Sequence, residues 1–246
     1  MCRPACPCGA RARPGRAILP DPFATRSAPV SPFPDHVGYV AVEGVIGAGK
    51  TTLARMLASL AGGRLVLEEF EDNPFLGTFY ADRERWAFQT QLAFLASRFK
   101  QQRALLNRDL FGATVADYTF DKDRIFAHVT LTGDELQLYE TLYGLMEPSS
   151  ATPDLVVYLR SSVERLLANI AQRGRSYETG MDPDYLTELT AAYDRYFFHY
   201  RKGPLLVVDT TQMDFVKNEE DFEAIVAQIR RVRGGTTYVS LPVAAE

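Results

Sequence analysis

The stretch GVIGAGKTT, Gly44 to Thr52, constrains what this chain can fold into more than any other feature. It follows the apolar run Tyr39-Val40-Ala41-Val42-Glu43 and precedes the helix-like run Leu53-Ala54-Arg55-Met56-Leu57-Ala58. Gly44, four residues, then Gly49-Lys50-Thr51 is the full phosphate-binding-loop pattern, with a strand before it and a helix after. Gly44, Gly47, Ala48, Gly49 and Thr52 let backbone N–H groups turn inward around phosphate oxygens at a helix N-terminus. Lys50 can neutralise β- and γ-phosphates, and Thr51 can ligate Mg²⁺. The competing reading is a glycine-rich turn that binds nothing, and the flanking patterns weigh against it.

The loop does not say where the phosphate goes, so bulk properties come next. With 246 residues, 46% hydrophobic and 24% charged, the chain can bury one substantial core, with or without a tail. A formal net charge of -4 argues against a nucleic-acid polymer as partner and favours small substrates. No stretch approaches the ~18 apolar residues of a membrane span. A soluble, cytoplasmic protein with no membrane partner is expected. Cys2, Cys6 and Cys8 are the only cysteines, so the core must hold without disulfides, and a zinc site there lacks a fourth ligand because His36 is distant.

Residues 1–37 are rich in proline and arginine and lack apolar periodicity, which predicts a disordered tail ahead of a single domain over 38–246. The arginine-rich start is similar to a transit peptide, but Pro4, Pro7 and Pro14 forbid an amphipathic helix. A later translation start near Val37 is the other expectation.

From Tyr39 onward, short aliphatic runs alternate with helical patterns, the signature of a parallel sheet with crossover helices. Five strands are predicted, at 39–43, 65–69, 113–117, 155–159 and 205–209, each covered on both faces. Phe88, Leu92, Leu95 and Phe99 predict one long amphipathic helix, and Leu136, Tyr139, Leu142, Leu145 and Met146 another. Ser161 with Glu164 reads as a capping box, and Asp182-Pro183 as an N-cap followed by proline at the first helical position. Phe222, Ile225, Val226 and Ile229 pattern the last helix, which Gly234-Gly235 is expected to end.

The second strand is expected to run into Leu67-Glu68-Glu69-Phe70, and open α/β sheets bind ligands beyond the carboxyl ends of their strands. A carboxylate there can take a proton from an attacking hydroxyl. Side chains alternate along a strand, so only one of the two acids should face the site.

Together with the phosphate loop, the segments VLEEFEDNPFLGTFY, ERWAFQTQLAFLASRFKQ, ADYTFDKDRIFA and QRGRSYETG resemble the deoxyribonucleoside kinases, particularly bacterial deoxyadenosine and deoxyguanosine kinases, over about Tyr39 to Phe222. The resemblance implies an α/β P-loop kinase fold with a short arginine-bearing lid. It also implies ATP and Mg²⁺ as cofactors, a deoxynucleoside and a nucleoside triphosphate as small-molecule partners, and a homodimer. By it, Glu68 is the general base for the 5′-hydroxyl, with Glu69 as fallback. Tyr80 and Glu178 hold the sugar 3′-hydroxyl, Gln91 reads the base, and Arg98 and Asp123 lie beside the base. Arg173 and Arg175 are the lid arginines, and Asp214-Phe215 is the core of the adenine loop.

One departure stands out in the third strand. Many members carry acid-Arg-Ser there, whereas this chain has Asp117-Tyr118-Thr119. Asp117 keeps a carboxylate for Mg²⁺, but the arginine is missing, and Lys122 or Arg124 are the candidates to compensate. The resulting expectation is phosphoryl transfer from ATP to a 5′-hydroxyl, with deoxyadenosine favoured and deoxyguanosine or deoxycytidine as alternatives. A nucleoside monophosphate kinase or a nucleotide-binding switch would share the loop. A carboxylate at Glu68 speaks against the first, since it suits a hydroxyl acceptor and repels a phosphate, and the second would bind ATP without phosphorylating any nucleoside.

Overall fold

The computed structural model describes residues 31–106 and 112–240. The expectations for the three cysteines, for most of the proline-rich tail and for its start lie outside the described residues. The central strand β1 (Tyr39–Gly44) is buried along its whole length, as its unbroken aliphatic run requires. Around it lie β2 (Arg64–Val66), β3 (Thr114–Ala116), β4 (Leu155–Arg160), β5 (Leu205–Asp209) and β6 (Thr236–Ser240) in the order β2-β3-β1-β4-β5-β6. Every pair is parallel, with Val40 beside Val115 in β3 and Val42 beside Val157 in β4. The chain leaves β1 for one side of the sheet, builds β2 and β3, then crosses to the other side for β4. The crevice at that switch, outside the carboxyl ends of β1 and β3, is where the phosphate loop lies.

The crossovers are helical: α1 (Lys50–Ala61), α2 (Leu76–Ala81), α3 (Arg83–Leu105), α4 (Asp121–Thr130), α5 (Gly133–Met146), α6 (Val163–Arg173), α7 (Pro183–Phe198) and α8 (Glu219–Arg231). Asp182 caps α7 by accepting from the Asp184 N–H at 3.0 Å, and Pro183 opens the helix as its sequence predicts. Ile225, Val226 and Ile229 of α8 are buried.

Several expectations are corrected. The sheet has six strands among the described residues, not five; β6 is a half-exposed edge strand without the apolar run that marks the others. Gly234-Gly235 turns the chain into β6 through positive φ angles, while α8 already ends at Arg231. Strand β2 is also an edge, only partly covered, and stops at Val66, so Glu68 sits in the loop beyond it. The capping serine is Ser162, which accepts from the Arg165 N–H, rather than Ser161, whose hydroxyl is buried without a partner. On α5, Leu145 is 74% exposed. Tyr143 takes the buried place instead, donating to Asp121 Oδ1 at 2.8 Å. The core also reaches ahead of residue 38, since Phe33 and Val37 are buried in it.

Candidate active site

The β1 loop folds tightly because its glycines have no side chains. Gly47 has φ 86°, and a Cβ there would lie 2.7 Å from the Leu166 carbonyl oxygen; at Gly49, φ 89°, it would strike the Phe215 ring at 2.8 Å. Gly47→Ala is therefore expected to cost about 1–3 kcal/mol of stability and to weaken nucleotide binding. A melting curve and a nucleotide titration matching the parent protein would refute this.

Beside this loop runs a cleft lined by Gly47 to Thr52, by Arg165, Asn169 and Arg173, and by Asp214 and Phe215. Residues 165, 169 and 173 recur every four positions, so α6 presents one polar stripe to the cleft. Asn169 Nδ2 donates to the Gly47 carbonyl at 2.9 Å and Arg165 reaches the Met213 carbonyl, tying the phosphate loop and the 213–215 loop to one helix. Lys50 Nζ donates to the Val45 carbonyl at 3.0 Å. Burial lowers its ammonium to about 7, with Lys122 nearby adding to the effect.

A second cavity opens on the other side of Lys50. Glu68, Tyr80, Gln91, Arg98, Asp117, Arg173, Arg175 and Glu178 all line it. Of the two adjacent acids, Glu68 faces inward and Glu69 is exposed. Asp123 does not line the cavity. It stands behind Arg98, whose guanidinium bridges Asp123 and Glu68 Oε1, while Lys122 Nζ holds Glu68 Oε2. Burial alone would raise the Glu68 carboxyl, but these two cations outweigh it and hold it far below the usual carboxylate range. For Asp123 burial wins over Arg98 and pushes the carboxyl up to about 7.

Asp117 lines the second cavity and ties the phosphate loop to the loop that carries Glu68. Its Oδ2 accepts from Thr51 Oγ1 at 2.5 Å and its Oδ1 from the Glu68 N–H at 2.8 Å. Where an arginine is often found, Tyr118 donates to Gln101 Oε1 at 2.9 Å, and Gln101 Nε2 in turn donates to the Leu67 carbonyl at 3.1 Å, bracing the loop that carries Glu68. Of the two compensating cations, Arg124 turns outward to Glu140, whereas Lys122 enters the cavity. Glu43, fully buried at the end of β1, accepts from both the N–H and the hydroxyl of Thr119, fixing the β3 loop against the phosphate loop. Its carboxyl is raised by burial. Sequence patterns gave no sign of it, because an acid at a strand end ordinarily faces water.

The lid is short. Arg173 ends α6, Gly174 adopts the left-handed conformation after it, and Arg173 Nε donates to Glu178 Oε2 at 3.1 Å, with Arg175 3.6 Å from the other oxygen. Arg175 also lies over the Phe70 ring, and Tyr177 stacks on Tyr80, so the lid rests on the walls of the second cavity.

At the far end of that cavity, Gln91 is buried with its Nε2 donating to Thr130 Oγ1 at 3.1 Å and its Oε1 unpartnered. Thr130 donates its own proton to the Phe126 carbonyl, so the Gln91 amide is set with oxygen and one N–H free. Thr130→Val frees the amide to rotate and is expected to raise the KM of a ligand seated against Gln91 about fivefold, near 1 kcal/mol for one hydrogen bond, with kcat little changed. An unaltered KM would refute that orientation.

Residues 40–232 match the sequence profile of the family described as deoxynucleoside kinase. The chain is 36% identical over 200 residues to a deoxyguanosine kinase of Bacillus subtilis, covering 79% of this chain and 97% of that one. It is 34% identical over 201 residues to the deoxyadenosine/deoxycytidine kinase of the same organism, covering 78% and 92%. A solved deoxyadenosine kinase from M. mycoides with bound dATP superposes with a TM-score of 0.69 at 26% identity, covering 78% of this chain and 98% of that chain. With a six-stranded parallel sheet flanked by helices and two clefts that meet at its phosphate loop, this chain belongs to the deoxynucleoside kinase family and is an enzyme of that kind.

Proposed function

We propose that the enzyme transfers the γ-phosphoryl group of ATP to the 5′-hydroxyl of a purine deoxynucleoside, with deoxyadenosine favoured. The observation that carries this reading is that the two clefts share Lys50, Thr51, Arg173 and Arg175. A donor in one and an acceptor in the other would meet among four groups suited to phosphate. The triphosphate lies in the β1 loop, its adenine against the Asp214-Phe215 loop. The sugar is held by Tyr80 and Glu178, and the base lies against Gln91. Arg98, with Asp123 behind it, backs the base end.

Glu68 accepts the hydroxyl proton as the 5′-oxygen attacks, and Lys50, Arg173 and Arg175 stabilise the charge that spreads over the phosphoryl oxygens. Among the described residues no cluster of three or more His, Cys, Asp or Glu forms a metal site by itself. The hydroxyl and carboxylate of Thr51 and Asp117 nevertheless suit Mg²⁺, which takes one or two protein oxygens and completes its shell with phosphate and water. When bound, Mg²⁺ supplies charge neutralisation at the β- and γ-phosphates. A cytoplasmic homodimer belongs to the same proposal, by resemblance. No helix among the described residues is long and apolar enough to cross a membrane.

For the base, Gln91 Oε1 on the cavity wall is a buried acceptor without a partner, which favours an exocyclic amino group. Deoxyguanosine is the second reading, favoured by the similarity to a deoxyguanosine kinase. Four deoxynucleosides assayed with labelled ATP test both. The highest kcat/KM is expected for deoxyadenosine, a maximum at deoxyguanosine supports the second reading, and a maximum at thymidine sinks both.

A further inference from the structure

Glu68 poses a chemical problem as the proton acceptor. Both of its oxygens are occupied, Oε1 by Arg98 and Oε2 by Lys122. A carboxylate saturated by two cations in a buried site is firmly ionised but a poor base, because a proton must displace a charge-assisted bond. One of the two cations has to yield. Arg98 is anchored on its far side by Asp123 and packs over the Phe94 ring, with its guanidinium 4.6 Å from the ring centroid. Lys122 has no second carboxylate behind it, only the Phe126 ring 5.7 Å from its ammonium. It rises from the first turn of α4 on a flexible stem, lines the acceptor cavity, and among the described residues its ammonium donates a hydrogen bond to Glu68 alone.

We propose that Lys122 is a positioning residue for phosphoryl transfer: without nucleoside its ammonium fixes the plane of the Glu68 carboxylate, and on nucleoside binding it gives up Oε2 to the 5′-hydroxyl. This rests on Glu68 being the base. Lys122 stays buried after the exchange, where the carboxylate of Glu43 lies within reach of its charge. In the transfer, the bond from the 5′-oxygen to the γ-phosphorus forms as the bond from that phosphorus to the β,γ-bridging oxygen breaks. The hydroxyl proton passes to Glu68 Oε2, and the departing diphosphate oxygen keeps the electron pair. Lys122 thus brings its cation to Glu68 from α4, while the position after Asp117 is taken by Tyr118, which braces Gln101.

The test is steady-state kinetics of the full chain with ATP and its best deoxynucleoside, comparing Lys122→Met, Lys122→Arg and, as a surface control, Arg124→Met. Lys122→Met is expected to lower kcat about 10²-fold, the cost of a misplaced catalytic group, while the nucleoside KM stays within about threefold. Lys122→Arg should recover kcat to within about tenfold of the parent, and Arg124→Met should match it. A parent-like kcat in Lys122→Met, or a rise in KM alone, overturns the proposal. Should Lys122→Met fail to fold, the parent enzyme labelled with ¹⁵N-lysine decides. Its Lys122 ammonium resonance, assigned by its loss in Lys122→Arg, should shift when the nucleoside is added, and an unmoved resonance overturns the exchange. A parent enzyme that phosphorylates no deoxynucleoside would instead strike down the underlying reading, and this inference with it.

Discussion

Glu68→Gln should lower kcat by about 10²-fold or more, in line with the contribution of a general base, while nucleoside and ATP still bind. The amide keeps the shape of the side chain and can still accept from Arg98 or Lys122, but it cannot take a proton. Binding is expected to survive because Tyr80, Gln91 and Glu178 line the same cavity independently of Glu68. Rapid-quench measurement of a single turnover isolates the chemical step, and near-normal turnover with retained binding would reject Glu68 as the base. Glu69→Gln, on the exposed neighbour, should change little.

The second large effect is structural. Arg98→Leu removes the guanidinium between two buried carboxylates and leaves Asp123, fully buried, facing an apolar side chain. Breaking a buried pair from one side costs about 3–5 kcal/mol, which for a chain of this size lowers Tm by about 10 °C. The pH dependence follows from Asp123. Burial already pushes its folded carboxyl up to about 7, above the ordinary 3.8, and loss of Arg98 removes the charge that opposed this. Between those values the folded chain holds a proton that the unfolded chain has released, so stability falls as pH rises. The deficit relative to the parent protein should thus be smaller at pH 5 than at pH 8. Adding Asp123→Asn removes the stranded charge and should return part of the loss. A melting temperature within about 2 °C of the parent, under 1 kcal/mol on the same scale, would show that the bridge does not hold the site together.

The sequence discloses the centre of the sheet better than its edges, for a physical reason. A strand buried on both faces must be continuously apolar, as Tyr39 to Val42 and Leu155 to Leu159 are. Arg64–Val66 and Thr236–Ser240 are edge strands held mainly by backbone bonds to one neighbour, so their side chains carry no comparable signal. The capping serine shows the same limit at finer scale: Ser161 and Ser162 are chemically alike, and only the backbone path decides which one meets the Arg165 N–H.

Helix α3 is the instructive case. Its apolar spacing at Phe88, Leu92, Leu95 and Phe99 is genuine, and all four contact the core. Yet Gln91, Arg98 and Gln102 are also buried. Polar residues on an inward helix face are illegible to an apolar-periodicity rule, because that rule equates inside with hydrophobic. Resemblance to a family supplied Gln91 and Arg98, and Gln102, which reaches Tyr39, went unread. Asp123 likewise came by resemblance, and its place behind Arg98 needed three dimensions to see.

The six strands among the described residues run the same way, so the residues proposed to bind and transfer phosphate gather at one rim of the sheet. The other rim, where Gly62-Gly63, Gly203-Pro204 and Gly234-Gly235 turn into β2, β5 and β6, holds none of the candidate residues. Among the described residues the sheet is thus polarised, with the proposed site at one end and none of its residues at the other. Attachment of a reporter dye or a surface tether at that other end leaves the proposed site facing solution, free to exchange its substrates.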